Sequence, residues 1–192
     1  MDLQTIVYKN RSYRRFDESH KIEGTLLRDW IRLAQHSPSS KNAQPLKFWL
    51  SNTPEMNTVI FPHLRWAGAL KDWRGPAEGE RPSAYILILG DTEIRETFSV
   101  DHGIAAQSIL LGATEAGYGG CMIGSLQREG LRTALEIPER FQILLVIALG
   151  KPTEQVVIEP VGEDGSITYY RDENGVHHVP KRSLTELIVY DV

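Results

Sequence analysis

Residues Ser99 to Ala116 place the hardest constraint on what this chain can become. Ile104, Ala105, Ala106, Ile109, Leu110, Leu111, Ala113 and Ala116 fall there, and at 3.6 residues per turn they cover most of a helix's circumference. Such a helix is buried on nearly all sides, so other layers must pack around it. Gly117 is placed to cap it, because glycine enters the left-handed region without strain. A chain of 192 residues can form one domain and a core without metals or disulfides. Covering this helix completely is nevertheless difficult for a monomer of that size.

The remaining segments follow from periodicity and punctuation. Leu3, Ile6 and Val7 keep helical spacing up to about Asn10. Leu26, Leu27, Trp30, Ile31 and Ala34 mark a second, amphipathic helix, which ends before Pro38. Ser37–Pro45 is a loop by composition, and Lys47–Ser51 a strand. Thr53 followed by Pro54 starts a third helix. Arg74–Pro82 is a polar surface loop, Ala84–Gly90 a buried strand, and Gln142–Gly150 a core strand. Between them, a short strand at Cys121–Ile123 precedes a short helix near Gln127–Leu135. Toward the end, the turn signals Asp164-Gly165 and Asn174-Gly175 bracket a strand at Ile167–Arg171. Ser183 and Glu186 form a capping box for a final helix through Leu187. Helices and strands mixed around one central sheet make the fold class α+β, with a single domain over residues 1–192. A classical dinucleotide fold is disfavoured, since no G-x-G-x-x-G follows a first strand.

Several functions are set aside by composition. The formal net charge is −4, which does not suggest a nucleic-acid partner. The longest clean apolar run, Ile143 to Leu149, is far below a membrane span. The opening MDLQTIVYKN lacks the apolar stretch of a signal peptide, and the one cysteine, Cys121, fits a reducing compartment. The expected location is the cytoplasm. His177 and His178 are adjacent and point to opposite faces of a strand. No cluster has metal-ligand spacing, so no metal is expected. Cys121 reads as a buried structural thiol. Ser39 and Ser40 lie in no nucleophile elbow, and no side chain stands out as a catalytic acid or base.

Four segments carry possible chemistry, each with an ordinary alternative. In Asn10–Phe16, Arg11, Arg14 and Arg15 surround Ser12, a set suited to a phosphate monoester; the alternative is a solvated basic face. Ser37–Phe48 offers serine, asparagine and glutamine groups to the polar edge of a planar ring, or is a plain helix-to-strand connection. In Gly117–Leu126, small residues let a ring approach backbone N–H groups, or simply form a cap and a buried strand. Arg182 sits beside the start of the last helix, where an anion is favoured, or is a surface charge.

Taken in order and spacing, these segments resemble the nitroreductase family. Asn10–Phe16 resembles the family's R-R-S-x-R-x-F opening, and Ser37–Phe48 is similar to P-S-x-x-N-x-Q-P-W-x-F. Asp101–Leu126 looks like its central helix and the G-L-G-x-x-x-I-G turn, and Leu149–Pro152 and Lys181–Leu187 match its closing pieces. Asn10, Leu46 and Pro180 depart from the pattern. The resemblance implies an α+β homodimer with a mixed central sheet flanked by helices and FMN at the subunit interface. It places Arg11, Ser12 and Arg14 on the phosphate and ribityl chain, with Arg182 helping. Pro38, Ser39, Ser40 and Asn42 would come from the other subunit, with Gln44 supporting that loop. Ile123, Gly124 and Ser125 would line the ring. The chemistry would be carried by FMN rather than by a catalytic side chain. NADH or NADPH would serve as co-substrate and a nitro compound, quinone or similar small aromatic as acceptor, in a ping-pong cycle. The alternatives are a specialised branch that dehalogenates or modifies rings, and a non-catalytic flavin-binding protein.

Overall fold

The computed structural model describes residues 1–191, and its contacts group them into two compact units. The larger comprises Met1–Trp66 with Gly75–Thr153, the smaller Ala67–Arg74 with residues 154–191. In the larger unit the order is α1 (Leu3–Lys9), β1 (Phe16–Asp17), α2 (Gly24–Gln35), β2 (Leu46–Ser51), α3 (Pro54–Ile60), β3 (Ala84–Asp91), α4 (Asp101–Glu115), β4 (Gly119–Ile123), α5 (Arg128–Ala134) and β5 (Phe141–Pro152). Thr53 caps α3 by accepting from Met56 N–H, with Pro54 in the first turn.

Strand β5 is the hub of the sheet: it pairs with β1, β3 and β4, and β3 pairs with β2. Every residue of β3 is buried, as expected of a strand with both faces covered. On one face Ala84, Ile86, Ile88, Ile147 and Leu149 meet Leu27 and Trp30 of α2 and Ala106, Ile109 and Ala113 of α4 in one cluster. Each fully buried isoleucine or leucine there contributes about 1.5–3 kcal/mol through removal from water. The alternate residues Tyr85 and Leu87 are equally buried on the other face.

Two details differ from the sequence reading. A mixed central sheet is expected, yet its ladders are all antiparallel; the parallel ladder, β6 to β8, belongs to the smaller unit. The connection between β2 and β3 runs through more than thirty residues, which permits either direction, and no residue pattern encodes the choice. Helix α4 starts at Asp101 rather than Ser99, because Ser99 has φ 46°. In line with the difficulty of covering this helix in one chain, α4 keeps an uncovered stripe among the described residues: Gly103 and Gln107 are exposed, with Ile104, Ser108 and Leu111 half-buried beside them.

The smaller unit holds β6 (Val156–Pro160), β7 (Tyr170–Arg171), β8 (His177–Lys181) and α6 (Leu184–Leu187). The Asn174-Gly175 turn, with Gly175 at φ 77°, folds β7 antiparallel onto β8. Strand pairing reaches only Tyr170 and Arg171 of the expected Ile167–Arg171. Ser183 and Glu186 complete the capping box of α6. The two histidines separate as their alternation requires. His177 is buried, 5.2 Å from the Tyr169 ring, while His178 stacks on Tyr170 at 4.8 Å. Arg171 pairs with Glu154 at 2.8 Å and lies over the Trp73 ring.

His178 stands between two carboxylates, with Nδ1 2.9 Å from Glu159 and Nε2 3.5 Å from Asp172. The hydrogen bond to Glu159 is the main cause that raises its pKa above 6.5. A base whose folded-state pKa is raised stabilises the fold fully below its unfolded value, and that stabilisation is lost as pH rises through the folded value. The wild-type protein should therefore melt at a lower temperature near pH 8 than near pH 6 by more than a His178→Gln variant does. Equal pH dependence in the two would refute the assignment.

Candidate functional site

Helix α1 is closed by Asn10, whose N–H donates to Ile6 O. Arg11 then folds back, its Nη2 donating to Val7 O at 2.6 Å, where the helix's partial negative charge favours a cation. Arg11 Nε is buried and, among the described residues, has no hydrogen-bond partner. From here the chain runs parallel beside β4: Ser12 bridges Gly120, and Tyr13 N–H donates to Gly120 O at 3.0 Å. Gly119 makes room for this segment, and Gly120 for the packing of β4 on β5 and α4. A Cβ at Gly119 would lie 2.5 Å from the Tyr13 ring, and one at Gly120 the same distance from the Ala148 carbonyl. Arg14 Nη1 donates to Ser12 O at 3.2 Å, whereas Arg15 Nε lies 3.5 Å from Glu80.

At the far end of β4, Ile123 is buried while Gly124 and Ser125 are exposed. Gly124 O accepts from Arg128 Nη2 at 3.1 Å and Ser125 O from Arg65 N–H at 2.9 Å. Among the described residues their own N–H groups donate to no protein acceptor. Both residues are exposed, and a Cβ at Gly124 would meet only Leu145, at 3.9 Å, so the backbone at Gly124 is open to close approach. The arginine cluster and the free amides thus belong to the two ends of one short strand, about 13 Å from residue 120 to residue 124 at 3.3 Å per residue. The arrangement can hold an anion at one end and stabilise negative charge on a planar group at the other. Gly119 and Gly120 serve protein packing; only Gly124 keeps the open approach that the sequence reading ascribes to the whole glycine run.

The Ser37–Pro45 loop is built differently. Lys41, Asn42 and Gln44 have φ of 53°, 52° and 50°, a left-handed conformation that costs a non-glycine residue about 1–2 kcal/mol. The loop borders a cavity of about 350 Å³ lined by Ile31, Ala34, Pro38, Ser39, Gln44 and Phe48 among others. None of Arg11, Ser12, Arg14 or residues 123–125 lines it. Two residues that the sequence reading does not single out hold this loop. Asp101, at the start of α4, accepts from Ser39 Oγ at 2.6 Å and from Ser40 N–H at 3.0 Å. Arg95 Nη1 donates to Ser40 O at 3.2 Å. An acid on the first turn of an otherwise apolar helix is visible in the sequence; its partners, some sixty positions upstream, are not. In the smaller unit Arg182 is exposed, 3.4 Å from Glu186 and next to the α6 cap. Cys121 is buried, its Sγ–H donating to Met122 O.

The family model described as the nitroreductase family matches residues 7–151. YdgI of Bacillus subtilis (strain 168), provisionally named an NAD(P)H nitroreductase, is 23% identical over 188 residues, covering 80% of this chain and 90% of that protein. A nitroreductase family protein from Streptococcus pneumoniae TIGR4 superimposes with a TM-score of 0.69 at 18% identity, over 84% of this chain and 95% of the other. An FMN-dependent nitroreductase from Clostridium difficile R20291 gives 0.65 at 22% identity, over 80% and 89%.

Gly119→Ala should lower stability by about 1–3 kcal/mol, the usual cost of overpacking, because Tyr13 on one side and Pro152 on the other leave no room. A urea midpoint equal to wild type would show that the Arg11–Tyr13 segment does not need this contact.

Proposed function

The chain belongs to the nitroreductase family, and from that premise we propose that it is an FMN-dependent oxidoreductase acting as a cytoplasmic homodimer. One observation carries the reading: a segment with two guanidinium groups and a hydroxyl is docked on the same strand that leads into two exposed residues whose amides have no acceptor among the described residues. The donor set fits FMN. Arg11 keeps a buried Nε without a partner among the described residues, and the phosphate of FMN accepts several charge-assisted bonds.

In this reading Arg11, Ser12 and Arg14 hold the phosphate and ribityl chain, with Arg182 as a further cation. Pro38, Ser39, Ser40 and Asn42 of a second copy complete the site, and Gln44 braces their loop. Ile123 covers one face of the ring, while the Gly124 and Ser125 amides stabilise negative charge at its edge. When bound, FMN supplies the redox chemistry, accepting hydride from NADH or NADPH and passing electrons to a nitro compound, quinone or related acceptor. With protein over one face, nicotinamide and acceptor must use the other in turn, which makes the kinetics ping-pong. The uncovered stripe of α4, with Gly103 and Ile104, supports a homodimer, since it gives a second copy an apolar surface to bury.

The purified protein should be yellow and release FMN, not FAD, on denaturation; a colourless protein that fails to take up added FMN would overturn the reading. Double-reciprocal plots at several acceptor concentrations should be parallel, and intersecting lines would point to two separate sites. Arg14→Ala should weaken FMN binding by roughly one to two decades. Arg15→Ala should do less, because its guanidinium lies against Glu80. Small, equal effects would mean the cluster is only a basic surface.

A further inference from the structure

We propose that Asp101 is a positioning residue: its carboxylate holds the 39–44 loop, braced by Gln44, in the shape through which Ser39, Ser40 and Asn42 meet the flavin. The proposal rests on the FMN reading above. Asp101 is 97% buried, with a relative exposure of 3%. It is the first residue of α4, and the preceding Val100 offers no capping side chain. The usual work of an acid there is to bind the helix's own free amides. Among the described residues, however, its carboxylate bonds only to the loop. Ser39 Oγ–H donates to Oδ2 at 2.6 Å, and Ser40 N–H donates to Oδ1 at 3.0 Å and Oδ2 at 3.3 Å.

The carboxylate also fixes the direction of the Ser39 hydroxyl. With its proton committed to Asp101, Ser39 Oγ turns a lone pair to Gln44 N–H, which donates to it at 2.9 Å. Asp101, Ser39 and Gln44 thereby close residues 39–44 into a hydrogen-bonded ring. Inside that ring Lys41 and Asn42 are left-handed, and Gln44 at its closure is left-handed too. Asn42 tolerates this conformation by itself, but Lys41 and Gln44 do not, and the tether offsets their strain. Gln44 Nε2 adds bonds to Asn42 O and Oδ1 at 3.3 and 3.2 Å, so the side chains assigned to the flavin are set by the same tether. An asparagine that kept its oxygen on Ser40 N–H would face Ser39 Oγ with NH2, so the hydroxyl proton would lose its acceptor and the charge-assisted bonds would become weaker neutral ones.

The test compares wild type with Asp101→Asn, Ser39→Ala and Ser39→Thr as full-length protein. Amide hydrogen exchange is measured without flavin, and FMN affinity by fluorescence titration. Asp101→Asn and Ser39→Ala should speed exchange at Ser40 or Gln44 by about tenfold or more and weaken FMN binding roughly ten- to hundredfold. Ser39→Thr, which keeps the hydroxyl, should restore both. With FMN saturating, kcat of Asp101→Asn should stay near wild type, because the tether acts through binding. Unchanged exchange, or faster exchange with unchanged FMN affinity, would overturn the proposal. If Asp101→Asn does not fold, the Ser39 pair decides in the same terms. A wild-type protein that binds no FMN would sink the underlying reading, and this one with it. That outcome differs from failure of the tether alone, in which wild type and Asp101→Asn bind FMN equally.

Discussion

The packing of α4 against β3 and β5 organises the larger unit. Ala105, Ala106, Ile109, Leu110 and Ala113 share one buried cluster with Leu27 and Trp30 of α2 and with Ile86, Ile88 and Ile147 of the sheet. Because a packed interior does not deform continuously, the two ends of this helix are fixed reference points. At one end Asp101 holds the Ser39–Gln44 loop. At the other, Gly117 takes φ 80° and turns the chain into β4, on which the Arg11–Tyr13 segment docks. Fifteen residues at 1.5 Å each make α4 about 22 Å long. The two groups of proposed ligand-binding residues are therefore fastened to opposite ends of one strut, which suits a site completed by a second copy.

Much of this was legible because its causes are local. Pro38 limits α2, Thr53 and Pro54 start α3, and the capping box of Ser183 and Glu186 forms as its spacing requires. The unbroken apolar runs of β3 and β5 identify the buried strands. The unread parts depend on distant partners. The antiparallel direction of β3 beside β5 leaves no trace in composition. The Ile167–Tyr169 stretch is β-prone, yet pairing reaches only Tyr170 and Arg171.

At the candidate site the same division holds. The residue types that suit an anion or a planar ring could be picked out by their chemistry. What could not be seen was how the fold has already committed some of them. Arg15 is drawn to Glu80 and Arg11 is partly engaged with Val7. Gly119 and Gly120 make room for Tyr13 and the Ala148 carbonyl rather than for a ligand. Asp101 entered through contacts alone, since a carboxylate on a first helical turn ordinarily serves its own helix.

The left-handed run at Lys41, Asn42 and Gln44 has a thermodynamic consequence. A loop of that shape is usually made with glycine, which reaches it without strain but also visits many other conformations. Here residues with side chains occupy it, so the unbound loop has fewer alternatives to give up when something settles against it. Part of the ordering that a ligand would otherwise have to impose is already done by folding, and the strain is carried by the α4 core. Such a loop trades a little stability of the whole protein for a smaller entropy loss at the moment of binding.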